Sequence, residues 1–260
     1  MTRTSLAIGL VALTAFAVAG PASARTVNGC RIIASPTRTK HTSCAGADLR
    51  GAKLQGVNLN YANLEGANLS GANLSQAHLA HGHLHGATAR RARMVSVRFD
   101  GADLTDVDFT GARINGTAMF GGADLSNANL TNANLGSAFL HSVNLSNATL
   151  TGANLWNVMS GNSTGVPAAL PPSWKLAQGY LIGANANLWY AQLTDMDLSG
   201  MNLSGANFTY ATLTNVSFLG STMDEMNMTG VTWQNVMCPS GQMAANGYND
   251  GSPTAPVVGC

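Results

Sequence analysis

Apolar residues recur along this chain every five positions, with a leucine in one slot and a small apolar residue two places before it. The run Gly66-Ala67-Asn68-Leu69-Ser70-Gly71-Ala72-Asn73-Leu74-Ser75 shows the unit: Ala, Asn or Asp, Leu, a small polar residue, then often Gly or Asn. A period of five matches neither the 3.6 of a helix nor the 2 of a strand. A short fixed period predicts stacked coils. A backbone that turns a corner at every unit can point the two apolar positions inward and the other three outward. Large central side chains and small alanines then fill a narrow interior. Hydrogen bonds from coil to coil satisfy the main chain.

The central slot holds Leu49, Leu54, Leu59, Leu64, Leu69, Leu74, Leu79 and Leu84. It weakens through Ala89, Met94 and Phe99, then continues as Leu104, Phe109, Ile114 and Met119. Gly122 reads as an added residue that shifts the frame, after which centres run from Leu125 to Leu155. A third block runs from Leu188 to Trp233. Between them lies a segment whose prolines and glycines signal a loop. Its Trp174, Leu176, Tyr180 and Leu181 are too apolar for a free linker, so the loop is expected to fold back on the rod, with Trp156, Trp189 or Tyr190 beneath it. The expected organisation is a leader over 1–24, an N-terminal cap over 25–48, repeats over 49–160, the inserted loop over 161–185, repeats again over 186–238 and a C-terminal cap over 239–260.

The leader is read from Arg3, the apolar run Leu6 to Val18 and the small-residue site Ala22-Ser23-Ala24. These are the parts of an export signal with cleavage before Arg25. The expected location is therefore secreted or extracytoplasmic, and no later run is long enough to insert in a membrane. Removing Arg3 with the leader leaves as many cations as the 12 Asp and Glu, and only 10% of all residues are charged. So weak a field offers nothing to attract a phosphate backbone, and no nucleic-acid partner is expected.

Four cysteines, Cys30, Cys44, Cys238 and Cys260, in an exported chain predict disulfides. A rod of eight or more coils separates its ends by about 40 Å at roughly 4.8 Å per coil. A disulfide spans at most about 7 Å between Cα atoms. If the repeat is a rod, only Cys30–Cys44 and Cys238–Cys260 fit. Cys44 and Cys238 also fall in the repeat frame, five before Leu49 and five after Trp233, where each would close an end coil. Exposed ends of a β-solenoid are adhesive edges that need such covers.

The repeat resembles that of the pentapeptide-repeat family, with its consensus Ala-(Asp/Asn)-Leu-x-x, from about Cys44 to Cys238 apart from the interruption. The resemblance implies an all-β fold, a right-handed quadrilateral β-helix with four units per coil, in which residues twenty apart stack on one side. The segment Leu170-Pro171-Pro172-Ser173-Trp174, with Gly179-Tyr180-Leu181-Ile182-Gly183, and the Cys-Pro tail from Cys238 are similar to exported bacterial members without assigned activity. Other members of that family mimic duplex DNA and bind DNA gyrase through a strongly acidic rod. This chain is neutral and carries an export signal, so it departs from that pattern.

Candidate chemistry is confined to the outer surface. There is no Gly-x-Ser-x-Gly elbow, no phosphate-binding glycine loop and no His-Glu-x-x-His, so neither catalysis nor a cofactor is expected. His78, His81, His83 and His85 lie close in sequence, and imidazole suits zinc or copper. The frame points them outward without convergence, and no carboxylate is nearby in sequence to orient them, which leaves His81, His83 and His85 as weak metal candidates; with twenty residues per coil, Asp103 is expected to stack above His83. Arg93 and Arg113 are expected to stack on one side as a candidate anion contact. Trp156, Trp189, Tyr190, Tyr61, Phe139 and Tyr210 occupy non-core slots, and Trp174 and Tyr180 lie in the loop. Exposed together, such rings would mark a contact surface. The functional expectation is an exported non-enzymatic scaffold that binds a protein or a cell-envelope glycan, or assembles with copies of itself.

Overall fold

A computed structural model describes residues 25–245 and 247–248. The leader and Cys260 lie outside the described residues. From residue 43 onward, backbone bridges join residues twenty apart, as in Ser43 to Asn63, Asn63 to His83 and His83 to Asp103. Each coil turns four corners. In one of them Gly66, Gly71, Gln76 and His81 take left-handed φ values of 61°, 66°, 60° and 55°. This explains the frequent Gly and Asn at the fifth position, since both adopt positive φ at little cost. The residue before each centre locks the corner. The Oδ1 atoms of Asn63, Asn68 and Asn73 each accept the backbone N–H two residues on, at 3.1 Å. The five-letter unit thus encodes core, turn lock, core, spacer and corner. Central and alanine side chains from Leu49 to Val158 are almost wholly buried and form one continuous core.

The frame shift lies earlier than Gly122. Arg93 bridges Arg113, twenty positions on, but Arg98 bridges Met119, twenty-one on. The extra residue therefore sits in the corner Asn115-Gly116-Thr117, where Gly116 has φ 80°. Phe120, not Met119, is the buried centre, with Ala118 as its small partner. The corner expands because this lets phenylalanine fill the slot and places the more flexible methionine in the half-buried outer row.

At the N-terminus β1 (Arg25–Val27) pairs antiparallel with β2 (Cys30–Ile32). Cys30 and Ile32 join the core, and the Cys30–Cys44 disulfide spans 5.6 Å between Cα atoms. Further along, β3 (Phe139–His141) runs parallel to β4 (Met159–Gly161).

The insertion folds back on the rod, as its apolar residues predict. Its first residues keep the ladder, with Asn144 bridged to Thr164 and Thr149 to Ala169. The chain then forms an antiparallel hairpin of β5 (Lys175–Ala177) and β6 (Tyr180–Ile182). Met159 resumes the ladder with Asn187, twenty-eight positions on instead of twenty. The Leu181 N–H donates to Ser160 Oγ at 2.8 Å. Leu181 and Ile182 are fully buried, and the Trp174 ring covers Gly183 so closely that a Cβ there would come within 2.5 Å of it. Central slots at Ser160, Gly165 and Gly183 lack leucine, so the hairpin supplies apolar groups that the repeat omits. One core cluster ends at Leu181, a second begins at Ile182, and Trp174 packs against both.

The expectation that Trp156, Trp189 and Tyr190 lie beneath this insertion does not hold. The hairpin instead bonds to Gln192, Thr194 and Asp197, and all three rings remain more than half exposed. The second block carries a sheet of parallel β7 (Gln192–Thr194), β8 (Thr212–Thr214) and β9 (Thr232–Gln234), closed by antiparallel β10 (Gly247–Tyr248). Cys238 is fully buried and disulfide-bonded, as its slot predicted. No described helix is long and apolar enough to cross a membrane.

Candidate functional site

The corner that precedes β7 and β8 is occupied by Tyr190 and Tyr210, both in left-handed backbone, at φ 58° and 59°. Coil stacking sets their rings one above the other, 5.2 Å apart and 24° from parallel. Trp189 meets Tyr190 edge-on at 4.6 Å. The next corner is Gly230, where a Cβ would lie 2.2 Å from the Tyr210 ring. The glycine thus lets the tyrosine lean along the rod. The three rings form a ledge whose side chains contact one another yet remain about half exposed.

Beside this ledge lies a flat polar floor. Outward residues of β7, β8 and β9 form one row of Gln192, Thr212 and Thr232 and another of Thr194, Thr214 and Gln234. Thr212, Thr214, Thr232 and Gln234 line a shallow cavity of about 210 Å³. The far edge is a ladder in which Asn215 donates to Asp195 at 2.6 Å and Asn235 donates to Asn215 at 2.8 Å. The hairpin closes the β7 end. Gln178 bonds both the N–H and the carbonyl of Thr194, and the Gln192 N–H donates to the Tyr180 hydroxyl at 3.2 Å. Tyr180 and Trp174 are half-buried, Tyr180 against Gln192 and Trp174 over Gly183, and each remains partly open to solvent.

A second concavity gathers the histidines. One cleft of about 470 Å³ is lined by His41, Asn63, Glu65, His83, His85 and Asp103. A neighbouring cleft of about 390 Å³ adds Arg38, Tyr61 and His81. Carboxylates adjoin two of them: Asp103 is the ladder neighbour of His83, as the twenty-residue period requires, and Asp106 stands 3.5 Å from His85 Nδ1. His85 Nδ1 is also 2.7 Å from Thr105 Oγ1. His81 is instead taken up by stacking, 5.4 Å from Tyr61 and 15° from parallel. His78 stands in a different row, between Asn58 and Arg98. Among the described residues no three His, Cys, Asp or Glu side chains are placed to hold a metal ion. The frame could not have included His41, which precedes the repeat.

Arg93 and Arg113 are ladder neighbours, as the twenty-residue period requires. Two other cations of this stretch are paired locally, Arg90 with Asp108 and Arg98 with Asp100. Partial burial works against ionisation of Asp108, yet hydrogen bonds from Thr110 and from Arg90 Nε at 2.5 Å hold its carboxyl below the ordinary value. At the first coil the Arg50 side chain and backbone hold the exposed Asp48 carboxyl down to about 2. Because the folded value is depressed, what this pair contributes is complete above the ordinary 3.8 and is lost as pH falls through about 2. A carboxyl-carbon NMR titration should give Asp48 a midpoint near 2 that moves back toward 3.8 in Arg50→Ala. A normal midpoint in the unsubstituted protein would contradict the pair.

The pentapeptide-repeat profile matches residues 40–71, 72–111, 83–119, 118–157 and 184–220, more than half of the chain. The chain belongs to the pentapeptide-repeat family. Its fold is accordingly the right-handed quadrilateral β-helix of that family. No curated protein matches this pentapeptide-repeat chain. Among solved structures it is similar to a pentapeptide repeat protein of the Arabidopsis thaliana thylakoid lumen, 26% identical over 43% of this chain and 70% of that one, with a TM-score of 0.28. HetL, involved in heterocyst differentiation regulation in Nostoc sp. strain PCC 7120, is 24% identical over 74% of this chain and 94% of its own, with a TM-score of 0.33. QnrB1, a plasmid-mediated fluoroquinolone resistance protein, is 18% identical over 74% of this chain and 92% of its own, with a TM-score of 0.23. The family assignment rests on the repeats and not on these superpositions.

Proposed function

We propose that this protein is an exported, non-enzymatic scaffold that binds an uncharged saccharide chain of the cell envelope. The observation that carries this reading is the ledge of Trp189, Tyr190 and Tyr210, half exposed although the rings stack on one another. Such faces stack on the apolar side of a sugar ring. The adjoining rows of threonine hydroxyls and glutamine amides supply donors and acceptors at strand spacing. No cation lies in these rows, which suits a neutral ligand better than an anionic one. The Cys30–Cys44 disulfide accords with an oxidising compartment.

The test is binding of the purified protein to a panel of neutral and anionic polysaccharides. Neutral chains should be retained. The combined change Tyr190→Ala and Tyr210→Ala should weaken retention by roughly tenfold or more, from loss of about 0.5–1.5 kcal/mol of ring stacking at each position. Retention of no polysaccharide, or turnover of one, would overturn the reading.

A further inference from the structure

Charge is sorted along one flat side of the solenoid, away from the aromatic ledge. Lys53, Asn73, Arg93, Arg113, Asn134 and Asn154 follow one another in a single ladder row. Arg93 and Arg113 are exposed and in direct register, an arrangement in which like charges repel. Arg91 sits at the adjoining corner, its stem lying over Gly111. Nearer the C-terminal end the same side presents Asp224 and Glu225, both exposed. Among the described residues, the ion pairs use Asp48, Asp100, Asp106 and Asp108, and none includes Arg91, Arg93, Arg113, Asp224 or Glu225.

Midway between the two groups stands Trp156, 56% exposed. Arg113 is two coils before it and Arg93 three, by the bridges Arg93–Arg113, Arg113–Asn134 and Asn134–Asn154. Asp224 is three coils after it. The Asn157 N–H donates to the Asn185 carbonyl at 2.8 Å, the Asn185 N–H to that of Ser204 at 2.9 Å, and the Gly205 N–H to that of Asp224 at 2.8 Å. These bonds run past the insertion, so the edge of this side is continuous. At about 4.8 Å per coil, the arginine Arg93 and the acid Asp224 lie roughly 14 Å to either side of the tryptophan.

We propose that this side is a two-fold interface between two antiparallel copies of the chain. A two-fold surface must complement itself when turned end for end. Here the turn places Trp156 against its own copy near the axis. It also sets Arg93 and Arg113 of each copy opposite Asp224 and Glu225 of the other. A central tryptophan is the usual energetic anchor of an interface, and flanking charges set its register. The ledge lies on another part of the perimeter, so pairing leaves ligand binding unobstructed.

Sedimentation velocity on the purified protein tests this independently of any saccharide. The expected result is a dimer at low salt that dissociates as salt rises. Arg93→Glu with Arg113→Glu should be monomeric, because acid then faces acid. Asp224→Arg with Glu225→Arg should be monomeric for the converse reason. Mixing the two variants should restore a one-to-one dimer, since every facing set is again of opposite sign. Trp156→Ala should weaken association by roughly tenfold or more. A monomeric unsubstituted protein, a dimer indifferent to these changes, or two folded variants that do not pair on mixing would each overturn the proposal.

Discussion

Phe120→Ala should lower the free energy of unfolding by about 3–5 kcal/mol, the cost of emptying a buried phenylalanine site. Met119→Ala, one residue away, should cost about 1 kcal/mol or less. The contrast follows from the twenty-one-residue coil. Phe120 is fully buried, with its ring 5.2 Å from that of Phe99, which in turn lies 5.8 Å from Phe109. Phe120 packs on Phe99 from the next coil, while Phe109 faces Phe99 across the interior of the same coil. A shift of one side chain cannot replace the ring, because the coils above and below are held by backbone hydrogen bonds. Met119 faces the outer row, bridged to Arg98 and Phe139, and loses little on truncation. Paired denaturant titrations of the two variants measure the difference. Equal losses, or a larger loss at Met119, would return the frame shift to Gly122.

Trp174→Ala should have the second largest effect, about 2–3 kcal/mol, below the range for a wholly buried tryptophan because the ring is only partly buried. Its consequence should also differ in kind. Trp174 covers Gly183 and touches both core clusters, so its removal leaves Leu181 and Ile182 as the remaining apolar joint. In a solenoid each coil is stabilised mainly by its neighbours, and weakening one contact uncouples the blocks on either side. Calorimetry should show a single transition in the unsubstituted protein. In the variant it should be broadened or split, with the block from Ala186 to Ala244 melting first because it buries less. A variant that melts in one unshifted transition would show that the hairpin is not the joint.

The sequence period was enough to place nearly every inward residue, because in this fold burial depends on slot number alone. It was misleading where slot size departs from leucine. Ala89 reads as a weak unit, yet it lies directly beside Phe109 in the same column, with the Ala89 N–H bonded to the Asp108 carbonyl. A small residue there complements a large one, so the column remains filled. The same blindness to neighbours put the added residue at Gly122. Counting fives cannot distinguish Met119 from Phe120 as a centre, whereas coil-to-coil packing can.

The surface was less legible for a related reason. Period arithmetic gives the row of each outward residue, so the Arg93–Arg113 pair and the His83–Asp103 pair could be foreseen. It does not cross the insertion, whose eight added positions break the count between Met159 and Asn187. The alignment of Arg93, Trp156 and Asp224 along one side was therefore hidden. So was the stacking of Tyr190 on Tyr210 beside the threonine rows, although those two lie twenty apart. Its signal was present in Tyr190, Tyr210 and Gly230, but the corner role of the fifth position had to be recognised first.

The most direct test of the whole account is an NMR measurement of couplings across hydrogen bonds in the first block. The solenoid predicts a coupling from the Leu54 amide to the Asn73 carbonyl and from the Asn73 amide to the Ala52 carbonyl, repeated coil after coil. Beyond Asn115 the count should lengthen by one, with the Phe99 amide coupled to the Met119 carbonyl. Couplings confined to carbonyls four residues back, or none that join successive coils, would contradict it.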